Sequence, residues 1–324
     1  MFRIACASLL ATLCVLFAVP ALAAADRYPE RPIRMIVPFA PGGGTDITAR
    51  ILAEPMGQAL GETIVVDNRP GAASIIGCEI AAKSTPDGHT LLLASTSLTV
   101  NSVIYRKIPF DVQRDLIAIT RVSDQPSILV THPSFPAKTF KDFVALVQSQ
   151  PGKFTFGTPG YGTATHLASE QLLQKIKADL IQVPFKGTGP ALTALLSQEI
   201  TVYLSTFASA LPHVKQGRLR AYGVTTKTRA GPLPDVPTLA EQGVEGYEYA
   251  SWYGLFAPAG TPQNIINKLN RAAVDSLKSE KVLAVFEKQG LNATPTTPEQ
   301  FAQYIASERR KWTDVVRFAK IEQR

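Results

Sequence analysis

The chain has 324 residues, a formal net charge of +7 and an apolar share of 45%. This length allows two domains with ordinary hydrophobic cores. The modest positive charge favours acidic ligands. However, the sequence has no run of Lys and Arg and no alternation of basic and aromatic residues, which argues against nucleic-acid binding.

The first 25 residues have the pattern of a secretory signal peptide. Arg3 supplies a positive start, Ile4 to Val19 is a long apolar run, and Ala21 to Ala23 form a small-residue cleavage signal. Cleavage near Asp26 removes one base and no acid, which lowers the formal charge from +7 to +6. The sequence therefore predicts an exported, soluble protein.

Cysteine usage agrees with this interpretation. Cys6 and Cys14 leave with the signal peptide, so Cys78 has no partner for an internal disulfide. We expect Cys78 to be a small buried apolar side chain, since no histidine or basic residue near it in sequence would activate a thiol.

Strand-like and helical segments alternate along the rest of the chain. This alternation predicts an α/β fold with largely parallel sheets. The candidate strands are Arg34 to Phe39, Thr63 to Val66, Thr90 to Ser95, Ser127 to Thr131, Phe154 to Gly157, Ile181 to Val183, Thr201 to Ser205, Arg220 to Thr225 and Trp252 to Ala257.

A glycine turn follows the first strand. Gly42, Gly43 and Gly44 allow positive φ and a close approach to a ligand, and Thr45 is placed to cap the next helix. Such a turn directs backbone N–H groups toward one point, which suits an anion. Pro55 is expected to kink this helix.

The second half of the chain repeats this arrangement. Phe154 to Thr163 runs from a strand through glycines to a threonine, and Ala164 to Ile176 has a helical pattern. Two further loops, Ser95 to Ser97 and Val183 to Gly189, add hydroxyls and the charge of Lys186. In open α/β sheets ligands bind at strand carboxyl ends and helix N-termini, so all four loops are candidates for one cleft. We expect Lys186 to be a surface charge first and a ligand contact second.

Two helices near the end of the chain have clear start signals. Thr261 before Pro262 predicts one N-terminus, and a capping box from Thr297 to Gln300 predicts another. Their apolar faces are expected to be core. These faces are formed by Ile265, Ile266, Leu269, Ala272, Ala273 and Leu277 in one helix and by Phe301, Tyr304, Ile305, Trp312, Val315 and Val316 in the other.

Motifs for catalysis are absent from the sequence. It contains no Gly-x-Ser-x-Gly elbow, no Walker phosphate loop, no His-Glu-x-x-His pair and no dinucleotide fingerprint at Gly42 to Gly44. Its four histidines, His89, His132, His166 and His213, lack metal-ligand spacing. The expectation is a protein that is not an enzyme and that uses no cofactor and no metal.

Seven motifs together resemble the Bug family, the periplasmic solute-binding receptors of tripartite tricarboxylate transporters. They occur in order over nearly all of the exported chain. The motifs are Tyr28-Pro-Glu-Arg-Pro-Ile33, Ile36-Val-Pro-Phe-Ala-Pro-Gly-Gly-Gly-Thr-Asp46, Val65-Val-Asp-Asn-Arg-Pro-Gly-Ala72, Pro86-Asp-Gly-His-Thr-Leu91, Pro184-Phe-Lys-Gly187, Leu233-Pro-Asp-Val-Pro-Thr238 and Trp252-Tyr-Gly-Leu-Phe-Ala-Pro-Ala-Gly-Thr-Pro262.

The resemblance implies a type II periplasmic-binding-protein fold of class α/β. Two Rossmann-like domains would be joined by a two-strand hinge, with the ligand cleft between them. Residues 26–124 and 250–324 would form the first domain, residues 125–249 the second, and the crossings would lie near Ser123 to Pro126 and Tyr249 to Ser251. The ligand would be a small carboxylate: a di- or tricarboxylate, an acidic amino acid or an aromatic acid.

Matching motifs carry over a set of expected site residues. We expect His166 to be structural support first and a ligand contact second. The set is Phe39, Ala40, Gly43, Gly44, Thr45 and Asp46 in the first loop, Thr158, Gly160, Tyr161, Gly162 and Thr163 in the second, and Ser95, Thr96 and His166 beside them.

Two features of the expected site allow more than one interpretation, namely the carboxylate of Asp46 and the segment after Gly71. An acid in the first turn of a helix stabilises that turn, but Asp46 could instead bind a ligand amino group or a water. After Gly71-Ala72 the family commonly continues with glycines, whereas this chain has Ala73-Ser74, so the approach of this segment to a ligand is in doubt.

The expected function is capture by domain closure and delivery to membrane permease subunits, with the receptor acting as a monomer. A periplasmic sensor or co-receptor for a membrane signalling kinase would have the same fold and pocket. The sequence leaves that alternative open.

Overall fold

The structure is a computed structural model that describes residues 28–318, so the predicted signal peptide lies outside the described residues. Within this range no helix is both long and apolar enough to cross a membrane. The strands are β1 Ile33–Val37, β2 Ile64–Asn68, β3 Thr90–Ser95, β4 Leu116–Thr131, β5 Thr155–Thr158, β6 Ile181–Pro184, β7 Val202–Thr206, β8 Arg220–Val224, β9 Ala250–Pro258 and β10 Asn292–Ala293. The helices are α1 Gly44–Leu60, α2 Ile75–Ala82, α3 Ser97–Ile104, α4 Phe140–Ser149, α5 Ala164–Lys175, α6 Thr188–Leu196, α7 Phe207–Lys215, α8 Gln263–Lys278, α9 Glu280–Gln289 and α10 Pro298–Phe318.

The strands form one mixed sheet in the order β2-β1-β3-β9-β4-β7-β5-β6, and β8 and β10 also pair with β4. Strands β1, β2 and β3 are parallel, and β5 is parallel to β6 and β7. In the middle, β9 is antiparallel to β3 and β4, and β4 is antiparallel to β7 and β8. The prediction of an α/β fold is confirmed. The expectation of largely parallel sheets holds for the outer strands and is wrong at the centre.

Strand β4 carries the chain from one group of strands to the other. Its residues Leu116 to Pro126 pair with β9, and its residues Ser127 to Thr131 pair with β7. We call β1, β2, β3, β9, β10 and the first part of β4 the first half, and β5 to β8 with the second part of β4 the second half. Each helix is assigned to the half of the strand that it follows in the chain. The predicted crossings lie where β4 changes partner and where β9 begins. Their role in a hinge motion stays a prediction.

Helix α10 packs against both halves. Its Phe301 and Ile305 lie in a core cluster with Trp252 of β9. Further along, Trp312 and Val316 lie in a cluster of the second half. All the predicted apolar positions of α8 are buried, as are Phe301, Ile305, Trp312 and Val316, while Tyr304 and Val315 are partly exposed.

Cys78 is packed inside the first half. Its side chain is 1% exposed, and burial raises the pKa of its thiol to about 12. The expectation of a small buried apolar side chain is confirmed.

One of the predicted helix N-caps is confirmed, and two are wrong. Thr297 and Gln300 form the predicted capping box, with reciprocal bonds of 3.0 and 3.2 Å. Thr45 is not a cap, because α1 begins earlier, with Gly43 as its N-cap and the Asp46 carboxylate accepting the Gly42 N–H. Thr261 is not a cap either, since its hydroxyl donates to the Pro258 carbonyl and α8 begins after Pro262. Pro55 lies inside α1, which continues to Leu60.

The segment after Gly71 adopts an uncommon backbone. Ala72, Ala73 and Ser74 have φ values of 45°, 53° and 87°, a region that favours glycine. Asn101 fixes this segment by donating to the Ala73 carbonyl at 2.7 Å and to the Ser74 hydroxyl at 3.1 Å. A Cβ on Gly160 would lie 3.6 Å from Ala73 Cα, so the segment faces the second glycine loop.

Candidate functional site

A small cavity lies between the two halves of the molecule. It measures about 30 Å³, which is room for one or two water molecules. Its lining comes from both halves and comprises Phe39, Gly43, Gly44, Thr45, Ser95, Ser97, Pro159, Thr163, Thr165, Thr188, Thr206, Ser251 and Tyr253.

Five helices begin at this cavity. Each contributes a lining residue at its N-cap or in its first turn: Gly44 in α1, Ser97 in α3, Thr163 at α5, Thr188 in α6 and Thr206 at α7. The first N–H groups of a helix have no partner within it, and the helix dipole places partial positive charge there. The five N-termini therefore create a positive potential at one point.

No Lys, Arg, His, Asp or Glu belongs to the lining. Tyr253 is the titratable residue in it, and burial raises the pKa of its hydroxyl far above the usual range, so it is neutral. Eight of the other lining residues are Ser or Thr. The cavity therefore offers hydroxyls and backbone amides, which donate to an anion without carrying a full charge. Nowhere in residues 28–318 do three His, Cys, Asp or Glu side chains gather closely enough to hold a metal ion.

The two halves are in direct contact across the cavity. Ser209 of α7 donates a hydrogen bond of 2.8 Å to the Gly42 carbonyl, and the Ala40 N–H donates to the Lys186 carbonyl at 3.2 Å. A Cβ on Gly43 would lie 3.4 Å from Thr188 Cβ. The first glycine loop thus lies directly against the loop that precedes α6.

Gln125 of β4 links the cavity to both halves. Its amide nitrogen donates to the Tyr253 hydroxyl, and its amide oxygen accepts the Ala208 N–H of α7 at 3.2 Å. A Cβ on Gly44 would overlap both the Gln125 amide and the Tyr253 hydroxyl. Only glycine therefore lets the N-terminus of α1 approach this pair.

Some predicted residues of the first loop line the cavity, and others hold the loop in place. Phe39, Gly43, Gly44 and Thr45 line the cavity, whereas Ala40 does not. Instead, Ala40 contributes through its N–H bond to the second half.

Asp46 is buried outside the lining and has protein partners for both oxygens. The Gly42 N–H donates to Oδ2 at 3.0 Å, the Asn68 amide donates to Oδ1 at 3.0 Å, and Arg50 Nε bonds both. Burial alone would raise the pKa of this carboxyl, but the bonds from Arg50, Gly42 and Asn68 outweigh burial and lower it. These contacts favour the structural role, in which Asp46 shapes the glycine loop.

The second loop is held mainly by its own hydrogen bonds. Thr163 lines the cavity, caps α5 by accepting the His166 N–H at 3.2 Å, and donates to the Gly160 carbonyl at 2.8 Å. Thr158 also donates to that carbonyl, at 3.2 Å. Of the predicted residues in this loop, only Thr163 reaches the cavity.

The remaining residues of the second loop lie outside the cavity lining. The Tyr161 carbonyl accepts from the Tyr105 hydroxyl at 3.0 Å, and a Cβ on Gly162 would come within 2.9 Å of that tyrosine. His166 Nδ1 accepts the Gly162 N–H at 3.3 Å, which supports the predicted structural role of His166. The loop is thus braced against the end of α3.

The third and fourth loops reach the cavity, but not through Thr96 or Lys186. Ser95 lines it, but Thr96 is bound to Trp252 through backbone and hydroxyl, and Ser97 takes its place. The Lys186 side chain is exposed, whereas Thr188 two residues later lines the cavity.

Seven lining residues are not in the expected set of site residues, although Ser97, Pro159 and Thr188 lie in loops that the sequence indicated as candidates. They lack a shared motif, and their types are common in turns and helix caps. A search for Ser and Thr at the start of every predicted helix could have found Ser97, Thr165, Thr188 and Thr206. Pro159, Ser251 and Tyr253 carry no such signal, because their positions depend on β9 and on the turn after β5.

Comparison with known proteins identifies relatives over almost the whole chain. The model of the tripartite tricarboxylate transporter family receptor, TctC, matches residues 48–321. Protein BugT of Bordetella pertussis (strain Tohama I) is 38% identical over 314 residues, which cover 95% of this chain and 96% of BugT.

Two solved structures of carboxylate complexes have the same fold. Rpa4515 of R. palustris with adipate is 29% identical, with a TM-score of 0.88 and coverage of 91% of this chain and 99% of that one. MatC (Rpa3494) from Rhodopseudomonas palustris with bound malate is 31% identical, with a TM-score of 0.84 and coverage of 89% and 100%. The resemblance to Bug receptors that the motifs indicated is therefore confirmed, and the chain belongs to the tripartite tricarboxylate transporter receptor family, a family of periplasmic solute-binding receptors.

Proposed function

We propose that this protein is a periplasmic receptor that captures a small carboxylate between its two halves and delivers it to the membrane subunits of a tripartite tricarboxylate transporter. The observation that carries the proposal is the convergence of five helix N-termini on a cavity whose lining has no charged side chain. The relatives with adipate and malate support a carboxylate as the ligand.

The electrostatics favour an anion over a neutral solute or a cation. Partial positive charge from the helix N-termini is not cancelled by any acid in the lining. Asp46, the nearest acid in the first loop, is neutralised by Arg50 at 2.9 Å. A buried carboxylate would therefore gain hydrogen bonds from amides and hydroxyls without a competing negative charge.

Closure of two domains would hold the ligand. The proposed domains are residues 26–124 with 250–324 and residues 125–249, joined where β4 changes partner and where β9 begins. The cavity measures only about 30 Å³, so lining side chains would have to move aside to admit an acid while the halves stay in contact. Contacts such as Ser209 with Gly42 would then be made only near the closed state, which the ligand selects.

The signal-peptide pattern and the family support export to the periplasm. Binding in that compartment and delivery to permease subunits form one proposal. Deleting the gene should abolish uptake of the ligand by cells that retain the membrane subunits. Unchanged uptake would argue against this role.

A thermal-shift panel tests ligand capture directly. Ligand-stripped, refolded protein is heated with malate, adipate, citrate, aspartate, glutamate and benzoate, and with the matching amides as neutral controls. A ligand at about 100 times its dissociation constant adds about 2.7 kcal/mol to the free energy of unfolding, which raises Tm. The proposal fails if no acid raises Tm, or if the neutral amides raise it equally.

A further inference from the structure

A second concave surface lies outside the cleft, where the loop after α3 meets helix α10. It has a volume of about 510 Å³. Phe110 and Val112, both mostly buried, form part of its apolar floor, and the charged side chains of Arg106, Lys107 and Arg309 belong to its lining. We call this surface the basic hollow.

Three positive charges of the basic hollow have no acidic partner among residues 28–318. Arg106 and Lys107 are exposed and form no ion pair within the described chain. Arg309 donates to the neutral amide of Gln113 at 3.2 Å. These charges are therefore available to an external anion.

Two acids lie in or beside the hollow: Asp111 belongs to its lining, and Asp115 is paired with Arg114. Asp111 accepts the backbone N–H groups of Gln113 and Arg114, each at 2.9 Å. Asp115 pairs with the Arg114 side chain at 2.7 Å. Asp111 keeps its negative charge, since its bonds come from neutral N–H groups, while Asp115 offsets Arg114. The three remaining bases outnumber Asp111, so the hollow has a net positive charge.

The basic hollow is connected to the second glycine loop. Tyr105 lines the hollow, and its hydroxyl donates to the Tyr161 carbonyl in the second half. Arg309 lies on α10, which packs against both halves. Opening the cleft would break the hydrogen bond between Tyr105 and Tyr161. Tyr105 could then move, so the shape of the hollow depends on closure of the cleft.

We propose that the basic hollow docks an acidic segment of a membrane transport subunit and that it recognises the closed receptor. The proposal rests on the proposed function. Free bases beside an apolar floor fit a protein segment that has acidic side chains next to an apolar one. A flat anionic membrane is a poorer match, because polybasic lipid-binding segments usually gather about four to eight bases.

Fluorescence anisotropy with a short labelled peptide of Glu and Leu residues tests this docking surface. The full exported chain is titrated with and without the carboxylate that gives the largest thermal shift, at low and at physiological salt. The expected result is saturable binding that is tighter with the carboxylate, weakens with salt and is lost when Gln replaces Glu in the peptide.

Charge-reversal variants identify the surface. Arg106→Glu with Lys107→Glu should weaken peptide binding at least about tenfold, since like charges now meet. Lys138→Glu with Lys141→Glu makes the same change in net charge on the exposed surface near the start of α4 and should leave binding nearly unchanged. Equal weakening by both pairs would overturn the proposal. Arg309→Gln, which removes one charge and keeps a hydrogen-bonding side chain, should weaken binding less than the double reversal.

The coupling to closure has its own readout. Tyr105→Phe removes the hydroxyl that reaches Tyr161 and should reduce the difference in peptide affinity between carboxylate-bound and carboxylate-free protein. An unchanged difference would contradict recognition of the closed state.

Two further outcomes separate this proposal from its alternatives. Vesicles with about 30% phosphatidylglycerol should bind weakly, and stronger binding of vesicles than of the peptide would overturn the protein partner in favour of a lipid surface. The double reversal should keep its carboxylate-induced rise in Tm, which shows that the variant is folded. If the unmodified protein shows a carboxylate-induced rise in Tm but binds no peptide, only the docking proposal is wrong. If the unmodified protein shows no such rise in Tm, the proposed function is wrong.

Discussion

The Ser209 hydroxyl donates a 2.8 Å hydrogen bond to the Gly42 carbonyl, and these two residues lie on opposite sides of the candidate ligand cleft. Ser209 belongs to α7 in the second half, and Gly42 belongs to the glycine loop that leads into α1. This bond therefore joins the two halves across the cleft. We expect it to exist only in the closed state of the receptor.

Ser209→Ala should weaken carboxylate binding about two- to tenfold, because a typical hydrogen bond contributes about 0.5–1.5 kcal/mol. Isothermal titration calorimetry measures the change. Ser276→Ala is a matched control, since its buried hydroxyl bonds the Ala272 carbonyl inside α8, away from the cleft. Equal affinities of the two variants would show that the bond to Gly42 does not contribute to closure.

Gly44→Ala should be far more harmful than Gly43→Ala, although the residues are neighbours. A Cβ on Gly44 would overlap the Gln125 amide and the Tyr253 hydroxyl, and overpacking of this kind costs about 1–3 kcal/mol. A Cβ on Gly43 would meet Thr188 Cβ at 3.4 Å, close to ordinary contact. We expect a lower Tm and no carboxylate response for Gly44→Ala, and a nearly normal Tm for Gly43→Ala. A larger loss in Tm for Gly43→Ala than for Gly44→Ala would mean that the glycine loop packs differently.

Thr163 combines a structural and a binding role, and a comparison with Thr139 separates them. Thr163 and Thr139 are the N-caps of α5 and α4, and each accepts a backbone N–H from the third residue after it. Replacing either with Ala should lower the free energy of unfolding by about 0.5–2 kcal/mol. Only Thr163→Ala should also weaken carboxylate binding, because only Thr163 lines the cavity. Normal affinity of Thr163→Ala would remove this hydroxyl from the ligand site.

Asp46 should make the receptor sensitive to acid. The pKa of its carboxyl is lowered in the folded state, so the stabilisation that it provides is present above its unfolded pKa of about 3.9 and is lost as pH falls through the folded pKa. Asp46→Asn should be less stable than the unmodified protein at pH 7, and the difference should shrink on acidification. Urea unfolding between neutral and strongly acidic pH measures it, and a constant difference would contradict the ion pair with Arg50.

The carboxylate affinity of Asp46→Asn distinguishes the two roles of this residue. Asp142→Asn is the control, because Asp142 is also an acid in the first turn of a helix but lies in α4. If Asp46 only shapes the loop, dicarboxylates and acidic amino acids should lose affinity to the same extent. A selective loss for amino acids would instead assign Asp46 to a ligand amino group.

Sequence patterns predicted the outer parts of the sheet better than its centre. All nine predicted strands are present, but β4 extends back to Leu116, and β10 is only two residues long. The first part of β4 contains Arg121, Asp124 and Gln125, whose polar character masks a strand. Its pairing with β9 joins residues more than 100 positions apart, which no local pattern reports.

The sequence predicted those residues of the candidate site whose type is determined by the backbone around them. Gly44 was recognisable because close packing at a helix start requires glycine, and Gly43 was included because it belongs to the same glycine run. Thr188 and Thr206 were not, because a Ser or Thr before a helix is usually a cap. Tyr253 became part of the cavity only through the contact of β9 with Gln125, which lies 128 positions away in the chain.

The burial of Cys78 makes closure measurable with probes on the intact receptor. Because its thiol is 1% exposed and its pKa is raised to about 12, it stays protonated and unreactive near neutral pH. Cysteines introduced at exposed positions, such as Ala59 in the first half and Lys141 in the second, would then be the thiols that react among the described residues. A pair of dyes attached there would report the distance between the halves as ligand is added, with the native cysteine left in place.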